Sequence, residues 1–330
     1  MQPHRPAALT LREPRIRYRV APAMASSSPL VVIINRSGGT AAKLGARLET
    51  QVRQAFATAD TPIDLHLVPG SDIEAAVERA LGDTVVIGGG DGSISAAAGV
   101  LARQGRRLAV LPLGTLNHFA QAIGLDGTLE QAARVASSGE DRCIDLGCAG
   151  ERVFINNASL GIYPRMVRER DSLPLPKWLA TVPAAVRVLW RPRSRKVALT
   201  IDGVNQTLRT PLLLIGNNRY SLGAGEVGKR ESLEDGVLSL YAVTPRSGPG
   251  LVVEALRILR GKADRQQDFA TLADASQVVV HRTGSHPVAL DGEVVKLPFP
   301  LTFTIRPQAL TVMWPSAAQN RPGDPSPDPR

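Results

Sequence analysis

With 330 residues, 43% of them hydrophobic and 21% charged, the chain can bury one large or two medium cores of an ordinary globular kind. Its net charge of +9 calls for a polyanionic partner, yet aromatics are only 4% and no helix-turn-helix, RNP or zinc-finger pattern occurs. No nucleic acid is therefore expected, and no apolar run reaches the roughly 18–20 residues of a membrane span; Trp178 to Trp190 is interrupted by Pro183 and Arg187.

Residues 1–28 carry five arginines against one glutamate, with several prolines, and predict a disordered basic arm in which Met24 is an alternative start. Leu30–Asn35 is a β-branched run typical of a parallel strand buried on both faces. Leu44, Leu48, Val52 and Phe56 follow at helical spacing. Strands are predicted at Ile63–Val68, Thr84–Ile87 and Leu108–Leu111, separated by helices around 73–81 and 95–104. Alternation of short buried strands with amphipathic helices predicts a doubly wound, Rossmann-like α/β domain over 29–140. Beyond it the texture changes. Strands are expected at 153–156, 196–202, 206–214, 237–243, 277–282, 288–290, 294–297 and 301–305, with one helix at 249–260. These predict an antiparallel β-sandwich over 141–306, then a disordered tail at 316–330. Cys143 and Cys148 are too sparse for a disulfide framework or a zinc site, and no secretory signal precedes them, so a cytoplasmic location is expected.

The strongest local signal is Val85-Val86-Ile87-Gly88-Gly89-Gly90-Asp91-Gly92-Ser93. A strand running through glycines into a helix lets bare N–H groups and the helix dipole meet an anion. Ser93 stands where a dinucleotide fingerprint needs its third glycine, and no G-x-x-x-x-G-K-[ST] loop is present. A second loop, Pro112-Leu113-Gly114-Thr115-Leu116-Asn117, ends the next strand, and a third, Asn35-Arg36-Ser37-Gly38-Gly39, ends the first. All three lie at the carboxyl edge of one sheet, where doubly wound folds bind ligands, and together they predict a nucleotide cleft.

Those loops, followed in order by Asp145-Leu146-Gly147 and Leu290-Asp291-Gly292-Glu293, resemble the diacylglycerol kinase catalytic family over about Pro29 to Pro315. That family includes the sphingosine, ceramide and bacterial lipid kinases. The G-G-D-G element alone is shared with NAD kinases, whereas P-L-G-T-x-N with the late D-G-E favours the lipid branch. The resemblance implies an active cleft between the two domains and a final strand, about 307–315, that returns to the first. By resemblance Asn35, Gly89, Gly90, Asp91, Gly92, Thr115 and Asn117 would hold ATP and its Mg²⁺, with Ser37, Gly38 and Ser93 in the same cleft. Asp291 and Glu293 would form the acid pair at the transferred phosphate, with Glu293 the first candidate for general base and Asp91 the second. Asp145 and Asp235 match positions tied to a structural magnesium. A carboxylate acceptor for the hydroxyl proton contributes typically 10²–10⁴ in rate. Taken alone, Asp291-Gly292 is a hairpin-turn signal, as is Asp202-Gly203; only the order of motifs raises Asp291 above that.

The chain departs from the family in four places, one of them Ser93, which replaces the commoner threonine and keeps the hydroxyl. His118 replaces the aspartate common after Asn117, the Asn35 loop lacks its proline, and Gly225–Leu233 differs from the usual glycine-rich pattern. The implied function is an ATP- and Mg²⁺-dependent lipid kinase acting on diacylglycerol or a similar lipid. The rivals are an NAD kinase-type soluble-substrate kinase and a non-catalytic nucleotide- or lipid-binding protein. Residues 176–196 carry six basic side chains and no acidic one, interleaved with Trp178, Leu179, Val182, Val186, Leu189 and Trp190. They predict peripheral docking on an anionic membrane surface. A homodimer is among the assemblies the sequence allows.

Overall fold

The computed structural model describes residues 28–115, 117–125, 128–162, 164–166, 169, 194–220, 230, 232–243, 269–316 and 319. The N-terminal arm, the helix expected at 249–260 and nearly all of 176–196 lie outside the described residues.

The chain opens with β1 (Leu30–Asn35), α1 (Gly39–Leu44), α2 (Arg47–Thr58), β2 (Ile63–Val68), α3 (Ile73–Arg79), β3 (Thr84–Gly89), α4 (Asp91–Gln104), β4 (Arg107–Pro112), α5 (His118–Ala122) and α6 (Leu129–Ser138). The strands are parallel in the order β4-β3-β1-β2. β1, β3 and β4 are buried along almost their whole length, which is why they read as continuous apolar runs without alternation. The helical spacing over 44–56 is realised as two helices, because Gly45 takes a positive φ of 54° and breaks the run between them.

The second region is β5 (Glu140–Ala149), β6 (Arg152–Phe154), β7 (Asn157–Gly161), β8 (Arg195–Ile201), β9 (Val204–Thr210), β10 (Leu212–Asn217), β11 (Leu238–Val243), β12 (Phe269–Ala275), β13 (Gln277–Leu290) and β14 (Glu293–Trp314). One layer runs β12-β11-β10-β7-β13, and β13 passes on to pair with β8, and β8 in turn with β9, in the other. Phe154, Leu199, Ile215, Val278 and Phe303 fill the core between them. The single strand expected at 206–214 is two, divided at Pro211, which has no N–H to donate to a ladder. Conversely, the pieces expected at 277–282 and 288–290 are one strand whose register shifts between Val280 and Gly284. β5, β7 and β12 are not among the expected strands; for β7 the reason is that Asn157-Ala-Ser-Leu-Gly161 has turn composition.

β14 joins the regions. Its first half pairs antiparallel with β13, and its last residues lie parallel to β4, with Thr311 opposite Arg107. β5 runs antiparallel beside it through both regions. The final strand thus returns to the first sheet. Among the described residues the two main buried cores are separate, one holding β1, β3, β4 and Leu310–Met313, the other the sandwich.

Candidate active site

The three loops expected to meet do so through their glycines. Thr40 and Ala41 donate their N–H groups to the Leu113 carbonyl at 2.9 and 3.2 Å, and the Thr40 hydroxyl donates to the Gly114 carbonyl at 3.1 Å. Gly39 has φ +48°, and a Cβ there would lie 2.7 Å from the Thr115 nitrogen. Only glycine permits both the backbone conformation and the approach. The Asn35 amide donates to the Ser93 hydroxyl at 2.9 Å while its carbonyl accepts the Ser37 N–H at 3.0 Å. Asn117, itself at φ +54°, accepts from the Gly114 N–H at 2.8 Å and donates to the carbonyls of Pro112 and Gly114. Asn35, Ser93 and Asn117 therefore brace the loops from within. Ser37 and Thr115 are exposed at the surface these loops build, and Gly38, Gly90, Asp91 and Gly92 are partly so.

Asp91 is the first residue of α4, and its carboxylate accepts the N–H groups of His118 at 3.1 Å and Phe119 at 2.8 Å. The departure at His118 is neutral for this contact, which uses backbone and not the ring. Gly92 faces the other domain. A Cβ built there would run into the carboxylate of Glu293, whose Cδ would be 3.0 Å away. Glu293 itself is exposed, and it opens β14 immediately after the Asp291-Gly292 turn.

Asp291 and Gly292 both have positive φ, 46° and 86°, and close a two-residue hairpin between Leu290 and Glu293. The turn reading and the site reading of this pair are both realised. The Asp291 carboxylate accepts the N–H groups of Ile155, Asn156 and Asn157 at 2.7, 2.7 and 3.0 Å. Desolvation raises its pKa above the usual carboxylate range, against the pull of these donors. Asp202-Gly203 forms the same kind of turn, and its carboxylate binds Ser276 and Gln277.

Asp145 is buried, and its two oxygens take the N–H groups of Gln308 at 2.8 Å and Gly236 at 2.7 Å. Asp235 faces Arg219 at 3.6 Å. Among the described residues no group of three or more histidine, cysteine or acidic side chains is gathered in one place. Through these two backbone bonds, one to each oxygen, Asp145 ties the 233–237 loop to the bend of β14.

One residue at the cleft was missed. Arg230 donates to the Ile155 carbonyl at 2.6 Å and the Asn156 side chain at 2.8 Å, with its guanidinium 5.6 Å from the centre of the Phe119 ring. Desolvation lowers its pKa, opposed by the charges of Tyr220, Asp291 and Asp91. It lies within the stretch that departs from the family pattern, the one signal that could have drawn attention to it. A polar hollow of about 320 Å³ opens from Gly92 and Glu293 along α4 towards Arg103, walled by Glu74, Glu151 and Arg152.

Residues 29–149 match the family described as diacylglycerol kinase catalytic domain, and residues 158–314 match the YegS C-terminal NAD kinase beta sandwich-like domain. A Pseudomonas aeruginosa protein named "Probable lipid kinase YegS-like" is 32% identical over 75% of this chain and 82% of its own length. A Pseudomonas putida protein of the same name is 33% identical over 71% and 78%. A crystal structure described as a diacylglycerol kinase from Bacillus anthracis strain Sterne shares the fold with a TM-score of 0.60 at 18% identity, covering 88% of this chain and 97% of that one. Fold, cleft and matches together define a two-domain lipid kinase. The chain belongs to the YegS-like lipid kinases with a diacylglycerol kinase catalytic domain.

Proposed function

We propose that the chain transfers the γ-phosphate of ATP, as its Mg²⁺ complex, to a hydroxyl of diacylglycerol or a closely similar lipid. The observation that carries this reading is the D-G-E hairpin, which sets Glu293 against Gly92 at the positive end of α4. The backbone N–H groups of Gly90–Gly92 and the exposed rims of the Asn35 and Gly114 loops would receive the phosphates, as a helix N-terminus and bare glycines favour. Glu293 makes no hydrogen bond or ion pair with the described residues, which suits a carboxylate that must accept a proton. The lipid oxygen attacks the γ-phosphorus as Glu293 takes its proton. The bond to the β-phosphate oxygen breaks, and ADP leaves with that electron pair.

Mg²⁺ keeps most of its waters and phosphate ligands and needs one or two carboxylates. Asp91 fits: each oxygen accepts one backbone N–H and keeps a lone pair. When bound, the ion neutralises charge on the phosphates. Asp291 would act by position, fixing residues 155–157 and hence Asn156 and Arg230 beside the reacting groups. Arg230 adds positive charge where phosphoryl charge spreads.

The test is transfer of labelled γ-phosphate into total lipid extract, with NAD as a second acceptor, for wild type beside Asp91→Ala and Glu293→Ala. A labelled phospholipid made by wild type alone supports the proposal. Label in NAD, or none in any lipid despite nucleotide binding, overturns it.

A further inference from the structure

A second cavity, of about 300 Å³, opens in the β-sandwich at the end of the sheet away from the D-G-E hairpin. Its position follows from strand direction. β7 leaves the cleft at Asn157, which is bound to Asp291, and reaches the cavity at Leu160 and Gly161. On β13, His286 lines the cavity five residues before Asp291, roughly 17 Å along an extended strand. The two hollows share no lining residue.

The floor is apolar, made by Leu160, Val197 and Leu213 from three strands. The rim is cationic: Arg165, Arg195 and Arg282 line it with His286, and among the described residues no carboxylate does. Arg282 stands where β13 shifts register between Val280 and Gly284, so the irregularity that passes the strand between layers also aims a guanidinium at this opening. Arg195 and Arg282 have no acidic partner among the described residues. Desolvation, then the neighbouring charge of Arg195, lowers the pKa of Arg282. Two guanidiniums held together without a counter-charge cost stability unless an anion joins them. A small inorganic ion would leave the apolar floor without a use, whereas an amphiphile with an anionic head uses both. The volume, at the lower end for ligand pockets, suits one headgroup and the first carbons behind it.

We propose that this cavity binds the headgroup of an anionic phospholipid in the bilayer, its glycerol and proximal acyl carbons on the apolar floor, at a site separate from the phosphotransfer cleft. The inference rests on the lipid-kinase reading only for the setting, a protein that works at lipid surfaces. Binding is therefore measured without ATP and independently of turnover.

The experiment is sedimentation of the full chain with phosphatidylcholine vesicles, with and without phosphatidylglycerol, together with titration by dispersed short-chain phosphatidylglycerol. Wild type is expected to bind both phosphatidylglycerol forms and to ignore phosphatidylcholine. The double variant Arg195→Ser, Arg282→Ser should bind about thirtyfold more weakly, the effect of two basic side chains at an anionic surface. Arg195→Lys, Arg282→Lys, which keeps both charges, should bind within a few-fold of wild type and shows that loss in the serine pair is not misfolding. Arg47→Gln, Arg79→Gln removes equal charge from the exposed surface of the other domain and should leave binding intact. Phosphotransfer in neutral detergent micelles should be unchanged in all of them. The proposal is overturned if the serine pair binds like wild type, or if the Arg47, Arg79 pair loses as much. Inorganic phosphate displacing the short-chain lipid at comparable concentration would overturn it too, leaving a simple anion site.

Discussion

Gly92→Ala separates the placement of Glu293 from every other property of the fold. Gly92 is the second residue of α4 and has an ordinary helical backbone, so alanine there is not strained and favours the helix by about 0.5–1 kcal/mol. The three atoms nearest the new methyl all belong to Glu293, at the free end of a flexible side chain that can swing away. Stability should therefore hold, with Tm within about 3 °C of wild type or slightly higher. The carboxylate, however, must move by about an ångström, and a displacement of that size costs on the order of 10² in kcat. The assay is steady-state lipid phosphorylation alongside thermal unfolding, for Gly92→Ala, Glu293→Ala and the double variant. If the methyl acts through Glu293, the two losses are not additive, and Gly92→Ala costs almost nothing further once Glu293 is alanine. Full kcat in Gly92→Ala, or a second hundredfold loss in the Glu293→Ala background, would refute this reasoning. The latter would mean the methyl obstructs the nucleotide instead.

Three other outcomes are expected. Asp291→Asn keeps the turn but weakens the clamp on residues 155–157, and should cost about 1–3 kcal/mol in urea unfolding at neutral pH. Because burial raises the Asp291 carboxyl above 3.8, the folded chain holds a proton that the unfolded chain releases as pH rises above that value. Its contribution is full below 3.8 and is lost as pH rises through the folded pKa, so the stability difference between wild type and Asp291→Asn should shift in favour of the variant over that window. Arg230→Lys should lower kcat by at least about tenfold with little change in Tm, since an ammonium cannot span the Ile155 carbonyl and the Asn156 side chain as the guanidinium fork does. Gly39→Ala drives a Cβ into the backbone of Gly114 and Thr115, and should cost about 1–3 kcal/mol by calorimetry while raising KM for ATP.

The nucleotide half was legible because its signals are local. A buried parallel strand is an unbroken apolar run, and a glycine loop at its end is visible without knowing what lies opposite. The sandwich was harder. Its long strands bend, so β13 and β14 read as five pieces, and β7 is built from residues that usually make turns. Within the site, the sequence named Asp91, Asp291 and Glu293 but could not assign their tasks. Asp291 looks like a free acid in one dimension, and only folding shows three N–H groups of residues 155–157 converging on it. Arg230 was invisible for the same reason: its partners stand 75 and 74 positions away.

The path of β14 also bears on how the chain is made. The sheet that carries the nucleotide loops needs Leu310–Met313 beside β4 before its core is closed. During synthesis the residues of that domain emerge first, yet the strand that seals them follows the whole sandwich out of the ribosome. Until then β4 presents an open edge, a place where strands from other chains add. The sandwich core, all of whose members lie between Ala149 and Phe303, carries no such debt to a distant segment. The domain begun first is completed last, and cutting the chain after β5 would yield an unfinished sheet with no partner for β4.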